Sequence, residues 1–170
     1  MKSQNNYFLI GPMGAGKTAV GKQLAKLLNL EFYDTDEEIE LRTGVDISFI
    51  FEKEGESGFR KRESEILSEL TKKNNIVLAT GGGAIQSKEN RKNLISKGTV
   101  IYLKADIQKQ FERTLSGKER PLLNSGNPRL ILENLMKVRE PLYQDSADIS
   151  IITDNRKISS VAREIMNKIN

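Results

Sequence analysis

The segment Gly11–Thr18 has the residue types and spacing of a phosphate-binding loop. It reads Gly-Pro-Met-Gly-Ala-Gly-Lys-Thr and matches the pattern G-x-x-x-x-G-K-[ST] at every fixed position. Glycines let the backbone bring its N–H groups close to an anion, and the helix that follows adds unpaired donors and a positive dipole end. At such a loop the lysine reaches the β- and γ-phosphates and the hydroxyl is a ligand of Mg²⁺. The segment therefore predicts nucleotide binding, with Mg²⁺ as the cofactor, through Gly14, Ala15, Gly16, Lys17, Thr18 and Ala19.

A pair of carboxylates, Asp34 and Asp36, follows the segment Leu30–Tyr33, which is typical of a short strand. If that strand persists, both side chains project to the same face, because they are two residues apart. Beside the phosphate-binding loop, one carboxylate could hold Mg²⁺ through water while the other meets a substrate hydroxyl. The alternative is that Asp36 only caps the helix that follows.

The elements that must position these residues alternate between strands and helices. Five short, mostly apolar segments are typical of strands: Tyr7–Ile10, Leu30–Tyr33, Ile76–Thr80, Thr99–Leu103 and Ile149–Thr153. Helical segments separate them, and this alternation predicts an α/β fold in which a five-stranded parallel sheet is flanked by helices in three layers.

Two connections in this pattern are longer than the others. Residues of about 36–73 form an excursion between the second and third strands, with a short helix that ends near Gly55 and a longer one after it. This excursion is long enough to hold a second binding site. The segment Leu115–Gly126 shows little periodicity and predicts a long mobile loop.

After that loop, Asn127 and Pro128 have the pattern of a helix start. We expect Leu130, Leu132, Leu135 and Val138 to form the apolar face of this helix, and Pro141 to kink or end it.

Composition narrows the classes of function. The chain has 170 residues, as expected for a single domain, and no apolar run approaches the ~20 residues of a membrane span. Met1–Asn6 leads directly into the first strand, so we expect no signal or transit peptide. Because the chain has no histidine, acid–base chemistry near neutral pH must use a carboxylate or a lysine. The absence of cysteine excludes disulfides and thiolate metal sites.

The net charge of +4 suits anionic small ligands. Basic residues are interleaved with acidic ones, as on an ordinary solvated surface. We therefore expect neither a nucleic acid nor a membrane as a partner.

Six motifs in this order resemble the shikimate kinase family, over residues of about 7 to 168. They are Gly11–Thr18, Phe32–Asp36, Gly58–Glu63, Leu78–Gly83, Arg120–Leu123 and Arg139–Tyr143. The resemblance implies a fold similar to nucleoside-monophosphate kinases, with sheet order 2-3-1-4-5 and a closing lid at about 115–126. It implies transfer of the ATP γ-phosphate to the 3-hydroxyl of shikimate, by a cytoplasmic, monomeric enzyme of aromatic amino-acid biosynthesis.

The resemblance also implies a role for individual residues. Asp34 is the metal-side residue, acting through water together with Thr18, and Asp36 binds shikimate where it can accept the hydroxyl proton. Lys17, Asp36 and Arg120 are the catalytic set, and Arg120 would bring a cation to the γ-phosphate as the lid closes. Further ATP contacts fall on Arg113, Arg120, Asn155 and Arg156. The segment Asp154–Ile158 departs from family members that have a proline there.

The same resemblance assigns the shikimate carboxylate to Arg60 and Arg139, since the planar guanidinium pairs with a carboxylate through two parallel hydrogen bonds. Shikimate-binding residues are thus Asp36, Arg60, Gly81, Gly82, Gly83 and Arg139. On spacing alone, Arg60, Lys61 and Arg62 are equivalent and typical of a solvated helix face or a nucleic-acid patch. Arg139 alone could serve as a cation near a helix C-terminus.

Two other functions fit parts of the sequence. The first is a small kinase acting on gluconate or a nucleoside monophosphate, which two arginines do not exclude. The second is a nucleotide switch or a nucleic-acid-binding ATPase, which the basic charge would allow. No aspartate ends the strand Ile76–Thr80, where many ATPases and GTPases keep a magnesium-associated acid, and this favours the kinase interpretation.

Overall fold

A parallel sheet forms the centre of the molecule. In the computed structural model, which describes residues 5–115, 121–123 and 126–170, the strands are β1 (Asn6–Ile10), β2 (Glu31–Asp34), β3 (Ile76–Ala79), β4 (Thr99–Lys104) and β5 (Ile149–Ile152). Their order is β2-β3-β1-β4-β5, and every neighbouring pair is parallel. The predicted α/β class and sheet order 2-3-1-4-5 are confirmed.

Helices connect the strands. Within the described residues they are α1 (Lys17–Leu28), α2 (Thr35–Thr43), α3 (Ile47–Leu70), α4 (Lys88–Lys97), α5 (Ile107–Leu115), α6 (Pro128–Ser146) and α7 (Ile158–Ile169). Single 3₁₀ turns lie at Ala84–Gln86 and Pro121–Leu123. Gly55, in α3, has φ 72° and ψ −178°, so this helix consists of two segments, as the sequence predicted.

The side chains of β1 show how the two faces of the sheet are covered. Phe8 and Ile10 belong to one hydrophobic cluster, which contains side chains of α2, α3, α4 and α6. Leu9 points the opposite way, into a second cluster that includes side chains of α1 and α7. This alternation follows from the two-residue period of a strand, and the two buried faces give the predicted three layers.

The second strand does not persist to Asp36. β2 ends at Asp34, whose Oδ1 accepts hydrogen bonds from the backbone N–H groups of Asp36 (2.9 Å) and Glu37 (3.1 Å). Asp34 is therefore the N-cap of α2, and Asp36 lies in the first helical turn. The expectation that strand geometry aligns the two carboxylates is wrong, because capping by Asp34 starts the helix one residue after the strand.

The end and the buried face of α6 differ from two expectations. The helix does not end at Pro141 but continues to Ser146, with Tyr143 fully buried beyond the proline. Packing of this last turn compensates for the hydrogen bond that proline cannot donate. Leu130 and Val138 are 52% and 56% exposed, so the expected apolar face is wrong at these two positions, whereas Leu132 is buried as expected. Besides Leu132, the helix buries Arg139, Tyr143 and Ser146.

Candidate active site

The phosphate-binding loop between β1 and α1, which we call the P-loop, surrounds the ammonium group of Lys17. Gly11 has φ 146°, and a Cβ there would lie 2.5 Å from the carbonyl oxygen of Leu103, so only glycine fits. The Lys17 ammonium donates hydrogen bonds to the carbonyl oxygens of Gly11 (2.7 Å) and Pro12 (2.8 Å). The amino group thus lies inside the loop, where the N-terminus of α1 attracts anions.

Thr18 and Asp34 meet beside this loop. The Thr18 hydroxyl donates to Oδ2 of Asp34 over 2.6 Å, while the other carboxylate oxygen caps α2. The two oxygens predicted to serve a metal ion are therefore adjacent, and the cap fixes the orientation of the carboxylate. Among the described residues, no cluster of three or more acidic side chains could hold a metal ion by itself.

A cavity of about 290 Å³, which we call the P-loop cavity, opens over these residues. Arg113 lines it, with Nη1 donating to the carbonyl oxygen of Gly14 over 2.7 Å. The predicted nucleotide contacts after β5 do not line this cavity. Arg156 pairs with Glu164 at 2.7 Å, and neither Asn155 nor Arg156 is among the described residues that line the cavity.

A second cavity of about 100 Å³, the arginine cavity, lies beside the first. Its walls come from the P-loop, α2, α3, the triglycine turn after β3 (Gly81–Gly83), the 3₁₀ turn Pro121–Leu123 and α6. The residues that line it are Met13, Asp36, Ile47, Phe51, Phe59, Arg60, Glu63, Gly81, Gly82, Gly83, Pro121, Leu122 and Arg139. Four of these residues also line the P-loop cavity: Met13, Asp36, Gly81 and Gly82. A group bound in one cavity thus shares a wall with a group bound in the other.

Arg60 is held by carboxylates of its own helix. Its guanidinium pairs with Glu63 at 2.9 Å and with Glu56 at 3.2 Å, one helical turn away on either side. Burial by itself lowers the pKa of Arg60, but Glu63 and Glu56 raise it above the ordinary value. Glu63 is only 1% exposed, and this burial raises its pKa despite the two nearby arginines. Of the three basic residues 60–62, the structure brings Arg60 to the cavity, while Arg62 pairs with the partly exposed Glu54.

Arg139 lines the same cavity but, unlike Arg60, it has buried donor atoms without a hydrogen-bond partner among the described residues. It is 2% exposed, and among the described residues its Nε and Nη2 atoms have no hydrogen-bond partner. Burial lowers the pKa of Arg139, and the nearby Arg60 lowers it further. A buried cation with unused donors is unfavourable by itself and favours binding of an anion.

The triglycine turn is shaped by contacts with these side chains. The Gly81 N–H donates to the buried Thr35 hydroxyl over 3.0 Å. A Cβ on Gly81 would lie 2.8 Å from Oε2 of Glu63 and 3.1 Å from Oδ1 of Asp36, and one on Gly83 would lie 2.3 Å from Nη2 of Arg60. Without side chains of its own, the turn lets these polar groups reach the cavity.

The structure brings together most of the residues that the sequence singled out, but it adds others. Glu63 and Tyr143 both lie inside the quoted motifs and were assigned no role. The sequence carried a signal for both: Glu63 is three residues after Arg60, and Tyr143 is four residues after Arg139, so each pair shares a helix face.

Arg120 and most of the expected lid at 115–126 lie outside the described residues. Among the described residues, no helix is both long enough and apolar enough to cross a membrane.

Comparison with known proteins yields consistent matches. A family model described as shikimate kinase matches residues 13–170. A shikimate kinase of Histophilus somni is 56% identical, covering 99% of this chain and 97% of that protein, and one of Pasteurella multocida is 53% identical over the same shares. The structure of a shikimate kinase from Acinetobacter baumannii in complex with shikimate has a TM-score of 0.95 and 49% identity, covering 97% of this chain and 92% of that one. A deoxyadenosine kinase from M. mycoides, with a TM-score of 0.63 and 19% identity, shares the fold alone.

Proposed function

The chain belongs to the shikimate kinase family, and we propose that it transfers the γ-phosphate of ATP to the 3-hydroxyl of shikimate, giving shikimate 3-phosphate and ADP. This reaction belongs to chorismate and aromatic amino-acid biosynthesis. The shared wall of the two cavities is the observation that supports it most directly. An acceptor in the arginine cavity and a triphosphate in the P-loop cavity both contact Asp36, Gly81 and Gly82.

The acceptor carboxylate binds between Arg60 and Arg139. Arg60 is already oriented by Glu63, whereas Arg139 supplies unused donors that a carboxylate satisfies. This anchor leaves the hydroxyl groups of the ring facing Asp36. As the oxygen of the 3-hydroxyl bonds to phosphorus, its proton passes to the Asp36 carboxylate, and the bond from phosphorus to the β–γ bridging oxygen breaks.

ATP binds with its phosphates in the P-loop cavity, against the backbone of Gly14, Ala15 and Gly16 and the first turn of α1, which includes Ala19. Lys17 then leaves the carbonyl oxygens of Gly11 and Pro12 and pairs with the β- and γ-phosphates, as expected for this loop. We place Arg113 beside the nucleotide, because it already contacts Gly14. We also retain Asn155 and Arg156 as proposed adenine-side contacts.

Mg²⁺ fits the two oxygens that Thr18 and Asp34 present. Mg²⁺ prefers oxygen ligands, and in phosphoryl-transfer sites it is held by few protein groups together with phosphate oxygens and water. This pair matches that requirement, with Asp34 acting through water and its orientation maintained by the α2 cap. When bound, the ion neutralises charge on the β- and γ-phosphates.

Arg120 is the proposed lid residue that stabilises charge on the transferred phosphoryl group. In that role it acts on the transition state more than on shikimate binding. We expect Arg120→Ala to lower kcat about 100-fold and to leave the KM for shikimate nearly unchanged, as measured by steady-state kinetics. Arg129→Ala, at an exposed arginine paired with Glu133, is the control. An unchanged kcat for the Arg120 variant would remove this residue from catalysis.

We further propose that the chain acts as a single kinase domain, in monomeric form and in the cytoplasm. In this arrangement residues 36–73 supply much of the acceptor site, and residues 115–126 form the lid. Asp36, Arg60 and Glu63 line the arginine cavity, which supports the assignment of residues 36–73 to the acceptor site.

The proposed function is tested by ADP release from ATP and Mg²⁺ with four acceptors: shikimate, quinate, gluconate and nucleoside monophosphates. We expect ADP only with shikimate, together with a singly phosphorylated product by mass spectrometry. The Lys17→Ala protein, purified identically, controls for contaminating kinases. Turnover with gluconate or a nucleotide instead would overturn the acceptor assignment, and tight ATP binding without any turnover would favour a nucleotide switch.

The contact between Gly83 and Arg60 allows a selective test of the carboxylate site. Gly83→Ala places a methyl group where Nη2 of Arg60 lies, and because a guanidinium ends a flexible side chain, we expect Arg60 to move while the fold persists. Weakening one charge-assisted hydrogen bond raises the KM for shikimate about tenfold, with the KM for ATP unchanged. In an Arg60→Ala background the same change should add nothing. A further tenfold rise of the KM for shikimate in that background would show that the Gly83 substitution acts through a group other than Arg60.

A further inference from the structure

The Tyr143 hydroxyl connects two parts of the acceptor site that lie far apart in sequence. It donates a hydrogen bond to the carbonyl oxygen of Gly82 over 2.6 Å, across 61 residues of chain. Its oxygen also lies near the guanidinium of Arg139, one turn earlier on α6, and this proximity partly offsets the lowering of the Arg139 pKa by burial. Its side chain is fully buried, so water cannot replace either partner.

Gly82 occupies the point where the two cavities meet. A Cβ there would lie 3.4 Å from Nη1 of Arg139, 3.4 Å from the backbone nitrogen of Met13 and 3.6 Å from the carbonyl oxygen of Gly11. The residue is therefore enclosed between the P-loop and the arginine cavity. Its carbonyl group, which Tyr143 holds, sets the orientation of the peptide that forms the shared wall.

The phenol ring itself is fixed by packing. The rings of Tyr143 and Tyr102 lie 5.0 Å apart, and Tyr102 is only 1% exposed. The hydroxyl of Tyr102 donates a hydrogen bond to Glu140. Burial raises the pKa of Tyr143, so its hydroxyl keeps its proton and remains a donor at neutral pH.

We propose that Tyr143 is a positioning residue for shikimate, which keeps the Arg139 guanidinium and the Gly82 peptide in the fixed relation that the acceptor needs. This inference rests on the proposed function, because Arg139 and the triglycine turn are its acceptor-binding groups. Tyr143 need not touch shikimate itself. Its effect passes through two neighbours, one that binds the carboxylate and one that borders the reacting phosphate.

Tyr143→Phe removes one oxygen atom and retains the buried ring. The Gly82 carbonyl then lacks its buried donor and Arg139 loses the nearby phenol oxygen, so we expect the KM for shikimate to rise about tenfold. We expect kcat to fall less than about threefold and the KM for ATP to stay within about twofold, because Lys17 and Thr18 are untouched. Circular dichroism and thermal melting establish that the variant is folded, and calorimetric titration of shikimate gives its Kd directly.

Tyr102→Phe is the matched control, since it removes a hydroxyl from the same buried aromatic pair. Its hydroxyl is bound to Glu140 instead of the triglycine turn, so we expect both KM values to match those of the parent protein. A purely structural role for these tyrosines predicts that the two variants behave alike.

The possible outcomes separate this inference from the proposed function. If the parent protein phosphorylates shikimate and Tyr143→Phe binds shikimate equally well, the positioning role is wrong while the function stands. A rise of the ATP and shikimate KM values by the same factor, or a variant that no longer folds, would assign the hydroxyl to the fold and also overturn the inference. If the parent protein does not phosphorylate shikimate, the proposed function fails first.

Discussion

Lys17→Ala should lower kcat by about a thousandfold, the upper part of the range for losing a group that stabilises transition-state charge. The reason is positional: the ammonium lies inside the P-loop, 2.7 Å and 2.8 Å from the carbonyl oxygens of Gly11 and Pro12. Only a long cationic side chain at the start of α1 can move from these carbonyls to the β- and γ-phosphates. The measurement is ADP release at saturating shikimate and ATP, with ATP affinity measured separately by calorimetry.

The control for this variant is Lys22→Ala on the same helix. Lys22 is well exposed and lies 3.7 Å from Glu37, so its loss changes the net charge equally without touching the P-loop. We expect normal kcat and normal KM values from it. If Lys17→Ala, folded by circular dichroism, kept more than a tenth of the parent kcat, the assignment of this loop to phosphate binding would be wrong.

Arg139→Met should separate stability from function. We expect the KM for shikimate to rise about 100-fold, because the loss removes a paired, charge-assisted contact to the carboxylate. The same change removes a buried cation whose Nε and Nη2 atoms have no hydrogen-bond partner among the described residues. An apolar side chain of similar length avoids that cost, so the melting temperature without ligand should stay equal or rise.

Thermal melting with and without shikimate measures both effects. Shikimate should raise the melting temperature of the parent protein, since a ligand that binds only the native state stabilises it, and the same concentration should raise that of Arg139→Met far less. Arg42→Ala, which removes a partly exposed arginine paired with Glu38 and Glu69, controls for net charge. A large loss of stability in the Arg139 variant, with the shikimate response intact, would show that Arg139 serves the fold instead of the ligand.

Much of this protein follows from local sequence. The segment Gly11–Thr18 specifies a loop by glycine spacing, and the alternation of apolar strands with helices predicted the parallel sheet. The break in α3 at Gly55 and the helix start at Asn127 were also predictable, because backbone conformation at glycine and capping at asparagine depend on neighbouring residues. The sheet order required the family resemblance, since periodicity does not say which strands are neighbours.

Tertiary structure decided which side chains are buried and what they face. The apolar residues of α6 indicated one buried face, yet Leu130 and Val138 are exposed while Arg139 is buried. The packing of α6 against the sheet and the triglycine turn sets this, through contacts such as Tyr143 with Gly82, 61 residues apart. Likewise, the choice of Arg60 among three basic neighbours depends on where α3 lies relative to Gly83. Short-range pattern identifies the chemical groups, whereas long-range packing determines their electrostatic state, because desolvation and pairing depend on residues that are distant in the chain.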